Sequence, residues 1–412
     1  MSDTSIPPPV PPVKMAEIEG KGRALVTTQP LRAGQIVLRD SPILLYSAAP
    51  LLNHDNKYCS HCFRTILSPV VMVSCPWCSS ASLFCNPECR SVALSSSHTQ
   101  WVCQALSRLR EANSPLLHRQ QDCQVQARFL VAAYNLAVVS PLNFQTLLSL
   151  QGDSISSQDD ATLFLHSVIS SICPPPNHSQ FGFSASLSAV LLAKDKLNAF
   201  GLMEPFAQHK ERSVRAYGVY PRASFFNHDC LPNACRFDYV DSVADHGNTD
   251  IIVRVIHDLP EGRETCLSYF PVNLKYSERQ RRLKEDYGFA CDCDRCKVEA
   301  NWSDEEEGEG EGEGEGEGEG EEEEEEEAPM DEDSDEDMAH DSETEDCGLA
   351  KEDNGFPHAY FFLQYMCNRD NCWGTLAPLP PADSVPSTVM ECNVCGNLSN
   401  SEQPMDGNEQ FH

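Results

Sequence analysis

The heptapeptide Asn227–Asn233, NHDCLPN, places an amide, an imidazole, a carboxylate and a thiol at four consecutive positions. A catalytic triad, a metal knot and a tight turn would each account for part of this set. Which task these side chains share depends on the other motifs that the chain carries.

The composition indicates a zinc protein. At 412 residues the chain predicts two or three domains with a real core. Its best candidate for a membrane span, FLVAAYNLAVV, is shorter than the roughly 18 apolar residues that a span needs, and MSDTSIPPPVPPVK at the N-terminus lacks the pattern of a signal peptide. We therefore expect a soluble, intracellular protein, in which the 20 cysteines bind metal rather than form disulfides.

The net charge of −33 comes mostly from one segment. Residues 301–346 hold 27 of the 63 Asp and Glu residues and no Lys or Arg, so the rest of the chain carries 36 acidic and 30 basic residues. The Glu-Gly repeat predicts a solvated, self-repelling linker. We favour an inert spacer over a tail that docks basic histones, and the remaining charge makes no case for tight DNA binding.

The patterning predicts an α+β fold in which a β-rich domain of short strands is split by a cysteine module and a helical insert. Helical periodicity runs through the insert, and alternating strand patterns such as TDIIVRVI follow it. The predicted segments are a disordered N-terminus (1–13), a first β part (14–58), the cysteine module (59–103), the helical insert (104–197), the β core (198–270), a cysteine-containing extension (271–300), the acidic disordered linker (301–350) and a C-terminal cysteine segment (351–412).

The cysteine module has the spacing of a double zinc site. Its eight candidate ligands are Cys59, Cys62, Cys75, Cys78, Cys85, Cys89, His98 and Cys103. Eight N and S ligands make two tetrahedral sites, and a module this small gains its folding energy from the metal. Because every ligand is used, no position stays open for catalysis, which favours a structural and peptide-docking role.

Two further cysteine sets predict zinc. In CDCDRC, the ligands Cys291, Cys293 and Cys296 are one short of a tetrahedral site, and Cys230 of the opening motif is the obvious fourth. In the tail, the four candidate ligands are Cys367, Cys372, Cys392 and Cys395, which resemble a zinc ribbon. Five cysteines remain unassigned, of which the first four are predicted as packed thiols: Cys123, Cys173, Cys235, Cys266 and Cys347.

The order of GKGRALVTTQPLRAGQIV, NHDCLPN, LSYF and YGFACDCDRC is similar to that in SET-domain protein lysine methyltransferases. A SET domain split by a MYND zinc finger resembles the SET-MYND (SMYD) family, particularly its shorter plant Ash-related members, over residues 14–296. The resemblance implies a post-SET zinc on the four ligands above. It also implies cross-braced MYND sites, one made of Cys59, Cys62, Cys85 and Cys89 and the other of Cys75, Cys78, His98 and Cys103. The family usually ends in His-x3-Cys, whereas this chain has one residue more.

The resemblance also assigns an active site. It implies that Tyr269 is the catalytic residue and that the substrate channel is formed by Phe200, Tyr269 and Tyr287. The cofactor-binding residues that it implies are Lys21, Gly22, Arg23, Asn198, Asn227, His228, Tyr269, Tyr287 and Phe289, with Ser224 nearby. Ala24 stands where the family loop has its last glycine, so a Cβ is added at a place of close backbone approach.

Each of these residues has an ordinary structural interpretation when taken singly. Gly-Lys-Gly is a turn, Tyr269 a core aromatic, Asn198 a helix cap and His228 a structural histidine. Their joint order favours the enzyme instead.

The chain is thus predicted to be an S-adenosylmethionine-dependent protein (histone) lysine N-methyltransferase that acts in chromatin. Because a lysine amine with a pKa of about 10.4 attacks only when it is neutral, the site must position and desolvate it. We expect a monomer that acts in the nucleus or in both nucleus and cytoplasm, with no membrane association and with histone as the substrate that the resemblance implies. The alternatives are a non-catalytic adaptor whose MYND finger binds proline-containing peptides and, more weakly, a zinc-dependent ubiquitin ligase.

Overall fold

The computed structural model describes residues 10–52, 57–67, 72–152, 159–207, 212–242, 247–301, 359–382 and 385–400. Within these ranges the expected α+β fold of short strands, cysteine modules and a helical insert is confirmed. Nearly all of the predicted linker at 301–350 and most of the predicted disordered N-terminus lie outside the described residues. No helix among those described is both long enough and apolar enough to span a membrane.

The strands are short and group into small sheets. They are β1 (Val13–Ile18), β2 (Gly22–Thr27), β3 (Ile36–Asp40), β4 (Leu44–Ser47), β5 (Val73–Cys75), β6 (Ser79–Phe84), β7 (Ala199–Met203), β8 (Val214–Val219), β9 (Asn227–His228), β10 (Ala234–Asp238), β11 (Ile251–Val255), β12 (Cys266–Leu267), β13 (Leu376–Pro378), β14 (Val389–Cys392) and β15 (Leu398–Asn400). The sheets have the orders β1-β2, β10-β11-β3, β12-β9, β4-β8-β7, β5-β6 and β13-β14-β15.

The helices lie mainly between β6 and β7. They are α1 (Pro87–Ser95), α2 (Gln100–Leu109), α3 (Gln121–Val139), α4 (Pro141–Ser149), α5 (Asp160–Ile172), α6 (Ala185–Asn198), α7 (Tyr276–Arg282), α8 (Asp294–Glu299) and α9 (Ala359–Tyr365), with 3-10 turns at Pro115–His118 and Ala223–Phe225 and a π-helical turn at Leu283–Tyr287.

The β-rich core is centred on β11. This strand lies between β10 and β3, and all five of its residues are buried. Four of these five residues are apolar and the fifth is Arg254, so the strand lacks a clean alternation because both of its faces are covered. On the inner side Val253 packs with Leu38, Tyr220 and Phe226 in one cluster, which places the loop before β9 directly on the core.

The helical insert packs against the β core through α3. Eleven of its residues are buried, and the helix contacts β4 as well as the neighbouring helices. Side chains cap two helices of the insert: Asp159 accepts a hydrogen bond from the backbone N–H of Thr162, and Ser184 accepts one from Leu187. The Tyr46 hydroxyl donates to Asp195 Oδ1 at 2.5 Å, which joins β4 to α6.

The C-terminal module, residues 359–382 and 385–400, docks on the outer side of the β10-β11-β3 sheet. The Arg254 guanidinium on β11 donates to Glu391 Oε2 on β14 at 2.7 Å, and the Tyr239 hydroxyl donates to the same oxygen at 3.0 Å. Ala377 of β13 is fully buried in a cluster with Phe237 and other residues of the sheet. The module is therefore packed on the domain that carries the opening motif.

A matched pair of glycine substitutions tests this docking. Gly34 and Gly262 both have a φ of +78°, so alanine costs about 1–2 kcal/mol at either position. Only at Gly34 would the new Cβ meet the module, at the carbonyl oxygens of Leu379 and, at 2.9 Å, Pro378. Gly34→Ala should therefore cost about 1–3 kcal/mol more than Gly262→Ala, because the module must shift. Equal thermal unfolding midpoints for the two variants would contradict the docked arrangement.

Candidate active site and metal centres

The sixteen cysteine and histidine residues singled out from the sequence lie in four groups of four. In each group, all ligand atoms lie within 4.8 Å of one another. Measured Sγ–Sγ distances include 3.5 Å for Cys59–Cys89 and 3.7 Å for Cys62–Cys85. A tetrahedral zinc with Zn–S bonds of about 2.3 Å requires sulfur atoms about 3.8 Å apart. The geometry and the donor chemistry therefore fit zinc at all four groups.

The cysteine module holds two of these groups in the cross-braced pairing that the resemblance implied. Asn86 caps α1 by accepting a hydrogen bond from the Cys89 backbone N–H at 2.7 Å, which positions one ligand on the first helical turn. In the second group, Cys78 Sγ lies 3.7 Å from His98 Nε2. Burial lowers the pKa of His98 to about 4, so its imidazole is neutral, as a zinc ligand must be. One residue more than usual separates His98 from Cys103, and Thr99, the N-cap of α2, lies between these two ligands.

The third group joins the opening motif to the extension after the β core. Cys230 is fully buried, with its Sγ 3.5 Å from that of Cys296 and 3.9 Å from that of Cys291. Cys230 is 61 positions from Cys291 and 66 positions from Cys296 in the sequence. A metal at this group therefore ties the motif to the segment that carries Tyr287.

A buried arginine supports the third group, and the sequence analysis missed it. Arg279 is fully buried on α7, donates from Nε to Cys230 Sγ at 3.3 Å and points Nη2 at Cys296 Sγ at 3.8 Å. Its guanidinium also pairs with Glu299, which in turn accepts from Arg295 Nε at 2.6 Å. Four thiolates around Zn²⁺ carry a net negative charge, which the arginine offsets. The basic run in α7 was the only available signal, and it gave no indication that one of its arginines is buried.

His228 connects this metal group to the candidate catalytic tyrosine. Its Nδ1 accepts a hydrogen bond from the Tyr269 backbone N–H at 3.1 Å, so the hydrogen of the neutral ring lies on Nε2. That nitrogen lies 3.2 Å from Cys230 Sγ, to which it can donate. Burial lowers the pKa of His228 to about 3, which keeps the ring neutral. His228 therefore orients the ligand sulfur on one side and the LSYF segment on the other.

The second amide of the motif also has a structural partner. Asn233 Oδ1 accepts from the Cys266 N–H at 2.8 Å, and its Nδ2 donates to the Glu264 carbonyl oxygen at 2.8 Å. Asp229 Oδ1 accepts from the Leu231 N–H at 2.9 Å, which closes a turn of the Asx type. Together with the parallel pairing of β9 and β12, these bonds hold the motif beside LSYF.

Glu264 brings together two residues that were predicted at the cofactor. Its carboxylate accepts from Lys21 Nζ at 2.8 Å and from Asn227 Nδ2 at 2.9 Å. Burial lowers the pKa of Lys21, but the hydrogen bond and charge of Glu264 outweigh it, so the net shift is upward. Glu264 lies outside every motif, so the sequence analysis missed it.

The turn at Gly20–Gly22 leaves room for a ligand to approach the backbone. Gly20 and Gly22 have φ values of +76° and +72°, and a Cβ would meet nothing within 4 Å at the first and only Glu17 Oε1 at 3.9 Å at the second. Next to this turn, Arg23 lies over the Phe225 ring at 4.9 Å. Ala24 is fully buried, so its methyl group faces the protein interior and not this open side.

Tyr269 lies at a cleft of about 1030 Å³ that Phe200, Tyr287 and Ser224 also line. Its hydroxyl donates to the Phe226 carbonyl oxygen at 2.9 Å, and its ring centroid lies 4.8 Å from that of Tyr287. Burial raises the pKa of Tyr269 above its ordinary value, so the phenol is neutral. A neutral phenol and a carbonyl oxygen between aromatic rings can orient a desolvated amine.

Seven of the predicted site residues do not line this cleft, namely Lys21, Gly22, Arg23, Asn198, Asn227, His228 and Phe289. The Asn198 side chain ends α6, where its Nδ2 donates to the carbonyl oxygens of Gln151 and Lys194, both at 2.8 Å. This is the helix-capping arrangement that the sequence left open as the ordinary interpretation. Phe289 is 38% exposed, and it is not among the residues that line the cleft.

All cysteines that the structure describes are free of disulfides. Three of the unassigned ones, Cys173, Cys235 and Cys266, are buried as predicted, whereas Cys123 is only partly buried. Cys347 lies outside the described residues.

Comparison with known proteins places this site in context. The SET domain family matches residues 22–270. The chain is 54% identical over 402 residues to "Histone-lysine N-methyltransferase ASHR2" of Arabidopsis thaliana, an alignment that covers 95% of this chain and 96% of that protein. It is also 30% identical over 110 residues to "Histone-lysine N-methyltransferase SMYD3" of Homo sapiens, covering 24% of each chain.

Among solved structures, the chain resembles the SET domain of LSMT bound to lysine and AdoHcy. That match has 14% identity and a TM-score of 0.30, and it covers 69% of this chain and 54% of the other.

Replacing the shared ligand should remove one metal. Cys230→Ser should lower the zinc content from about four ions per chain to about three, because three thiolates no longer complete the tetrahedron. Cys173→Ser is the matched control, a buried thiol outside the four groups. Elemental analysis of the purified proteins measures both, and four zinc ions in the Cys230 variant would contradict the assignment.

Arg279 should determine how tightly this metal is held. Arg279→Met should weaken zinc retention by about 10–100-fold, as is typical when a group that bonds the metal ligands is removed. Arg281→Met on the same helix is the control, since that side chain is 59% exposed and pairs with Glu285. Competition with a chromogenic chelator reports the rate and extent of zinc loss. Identical curves for the two variants would show that the buried guanidinium has no such role.

Proposed function

The chain belongs to the SET domain family, and from that membership we propose that it is an S-adenosylmethionine-dependent protein-lysine N-methyltransferase. The observation that carries this proposal is the position of Tyr269. Its neutral hydroxyl bonds the Phe226 carbonyl oxygen at 2.9 Å beside Tyr287, in a cleft that Pro232 of the NHDCLPN motif also lines. The 54% identity to a plant histone-lysine N-methyltransferase over 95% of the chain supports the same activity.

The proposed cofactor site is the open turn around Lys21 and the strand pair beside it. When bound, S-adenosylmethionine supplies a methyl group on a cationic sulfur. Gly22 offers backbone without a side chain, Glu264 holds Lys21 and Asn227 in place, and His228 fixes the adjoining strand. Arg23, Tyr287 and Phe289 complete the proposed set. Asn198 contributes to it only by ending α6 beside the cleft, because its amide nitrogen is already bonded.

The proposed acceptor channel is formed by Phe200, Tyr269 and Tyr287. Aromatic walls exclude water, which disfavours the charged ammonium and lowers the pKa of an entering lysine from about 10.4. The Tyr269 hydroxyl and the Phe226 carbonyl oxygen can then align the neutral amine for in-line attack. The chain need not supply a nucleophile, because the substrate amine is one. The proton that the lysine ammonium gives up leaves to solvent through the open cleft.

We also propose a substrate, a cellular compartment and a division into domains. The name of the plant relative supports histone as the first substrate to test and the nucleus as the place of action. We retain the proposed domains, with the MYND finger at 59–103 as a docking module for proline-containing peptides and the protein acting as a monomer. Its zinc ligands leave that finger no open coordination position, in keeping with docking rather than catalysis.

Removal of the Tyr269 hydroxyl should impair methyl transfer without impairing binding of S-adenosylmethionine. Tyr269→Phe should lower methyl transfer by at least about 100-fold, since a preorganised hydrogen-bonding group at the reacting atoms is lost. Binding of S-adenosylmethionine, measured by calorimetry, should stay within a few-fold of the parent protein. Radiolabelled methyl transfer to core histones and to a cell-extract protein pool gives the activity.

Tyr276→Phe serves as the control, because this tyrosine begins α7 away from the cleft. Full activity of the Tyr269 variant would refute the assigned role. If neither the parent protein nor the variant binds the cofactor, the methyltransferase proposal fails and the non-catalytic adaptor replaces it.

A further inference from the structure

We infer that the C-terminal module forms one wall of the substrate cleft and that Trp373 contacts the protein segment flanking the acceptor lysine. This inference rests on the proposed function and deepens it by assigning a substrate-selecting surface. The occupant is an extended stretch of the protein substrate that turns an apolar or aromatic side chain toward the indole.

The cleft is built from two parts of the chain that are far apart in sequence. One side carries Phe200, Tyr269 and Tyr287, the proposed channel. Five residues of the C-terminal module line the same cleft, namely Asn371, Trp373, Thr375, Asn393 and Val394. The residue that carries the proposed chemistry and the module therefore face the same space.

The size of the cleft fits a peptide rather than a lone side chain. Its volume of about 1030 Å³ is at the upper end of the roughly 300–1000 Å³ of small-molecule pockets. A lysine side chain fills a small part of such a space, so the remainder is available to neighbouring residues of the substrate. The exposed Asn371 borders this remainder, where its amide can bond an extended peptide backbone.

Trp373 is held at the surface by the metal group beside it. It stands between Cys372, a buried member of the fourth group, and Gly374. A Cβ at Gly374 would collide with Cys392 Sγ and approach Val394 Cβ to 2.9 Å, so the loop closes tightly on the thiolates. The Cys367 N–H donates to the Gly374 carbonyl oxygen at 2.9 Å. Trp373 remains 53% exposed under these constraints, as expected of an aromatic contact residue.

The wall is fixed relative to the channel. Asn393 Nδ2 donates to the Arg236 carbonyl oxygen on β10 at 3.2 Å, and its Oδ1 accepts from the Thr375 N–H at 2.9 Å. Arg236 in turn lies over the Phe200 ring at 5.5 Å and donates to the Gly201 carbonyl oxygen at 3.0 Å. Contacts therefore run without interruption from the module to a residue of the channel. A preorganised wall of this kind lowers the cost of ordering a bound peptide.

The test compares Trp373→Ala with Leu398→Ala. Leu398 belongs to the same module, is 57% exposed and does not line the cleft. With full-length protein, Trp373→Ala should raise the KM for the acceptor protein by about 5–30-fold, the range for loss of an aromatic contact residue. The turnover number and the KM for S-adenosylmethionine should stay within twofold. Leu398→Ala should change none of these values.

Further measurements distinguish a direct contact between Trp373 and the acceptor from an effect of Trp373 on folding. Zinc content and the thermal midpoint should match the parent protein for both variants, and Trp373→Phe should restore most of the affinity. Methylation of N-acetyl-lysine methylamide, which has no flanking residues to contact the indole, should be unaffected by Trp373→Ala. Acceptors are core histones and the cell-extract pool, whichever the parent protein methylates.

The outcomes are distinct. An unchanged acceptor KM in an active Trp373→Ala protein overturns this inference and leaves the proposed function standing. A loss of activity on the short acceptor as well as on proteins would show that Trp373 supports the fold, which also overturns the inference. Absence of methyl transfer by the parent protein to any acceptor removes the proposed function and the inference together.

Discussion

The Sγ atom of Cys230 is the point on which the site depends. It completes a group of four thiolates with Cys291, Cys293 and Cys296, and it receives the guanidinium of Arg279 at 3.3 Å. Two residues before it, His228 bonds the Tyr269 backbone N–H. The metal group therefore fixes the motif, the segment after α7 and the LSYF strand at once. NHDCLPN is a junction between a cysteine group that fits zinc and the proposed active site.

Metal groups also stabilise the small sheets elsewhere in the chain. Short strands in two- and three-stranded sheets bury little surface by themselves, and isolated hairpins are marginal in water. Four metal groups supply the missing cohesion, because the free energy of zinc binding becomes folding free energy. Buried ion pairs such as Arg254–Glu391 then determine how the modules dock. Such pairs contribute more to orientation than to net stability, since desolvation offsets most of the attraction.

Because the C-terminal module docks on the sheet, it also borders the proposed substrate cleft. It follows an acidic segment of the sequence and could have been a separate tail, yet its cysteine loop borders the cleft at Tyr269. The cleft thus has a catalytic side inside the SET domain and a recognition side outside it. This division suits an enzyme that performs one chemical step on a chosen protein, because the recognition side can vary without disturbing the residues that hold the methyl donor.

The sequence by itself determined the ligands of all four metal groups, the helical character of the insert and the order of motifs around Tyr269. These features depend on local spacing, which a single chain displays. Only the tertiary structure decided that Glu264 joins Lys21 to Asn227, that Arg279 is buried against thiolates, that Asn198 caps a helix and that Trp373 borders the cleft. Each of the Glu264, Arg279 and Trp373 contacts pairs residues dozens to hundreds of positions apart, and no local pattern encodes which distant partner burial will select.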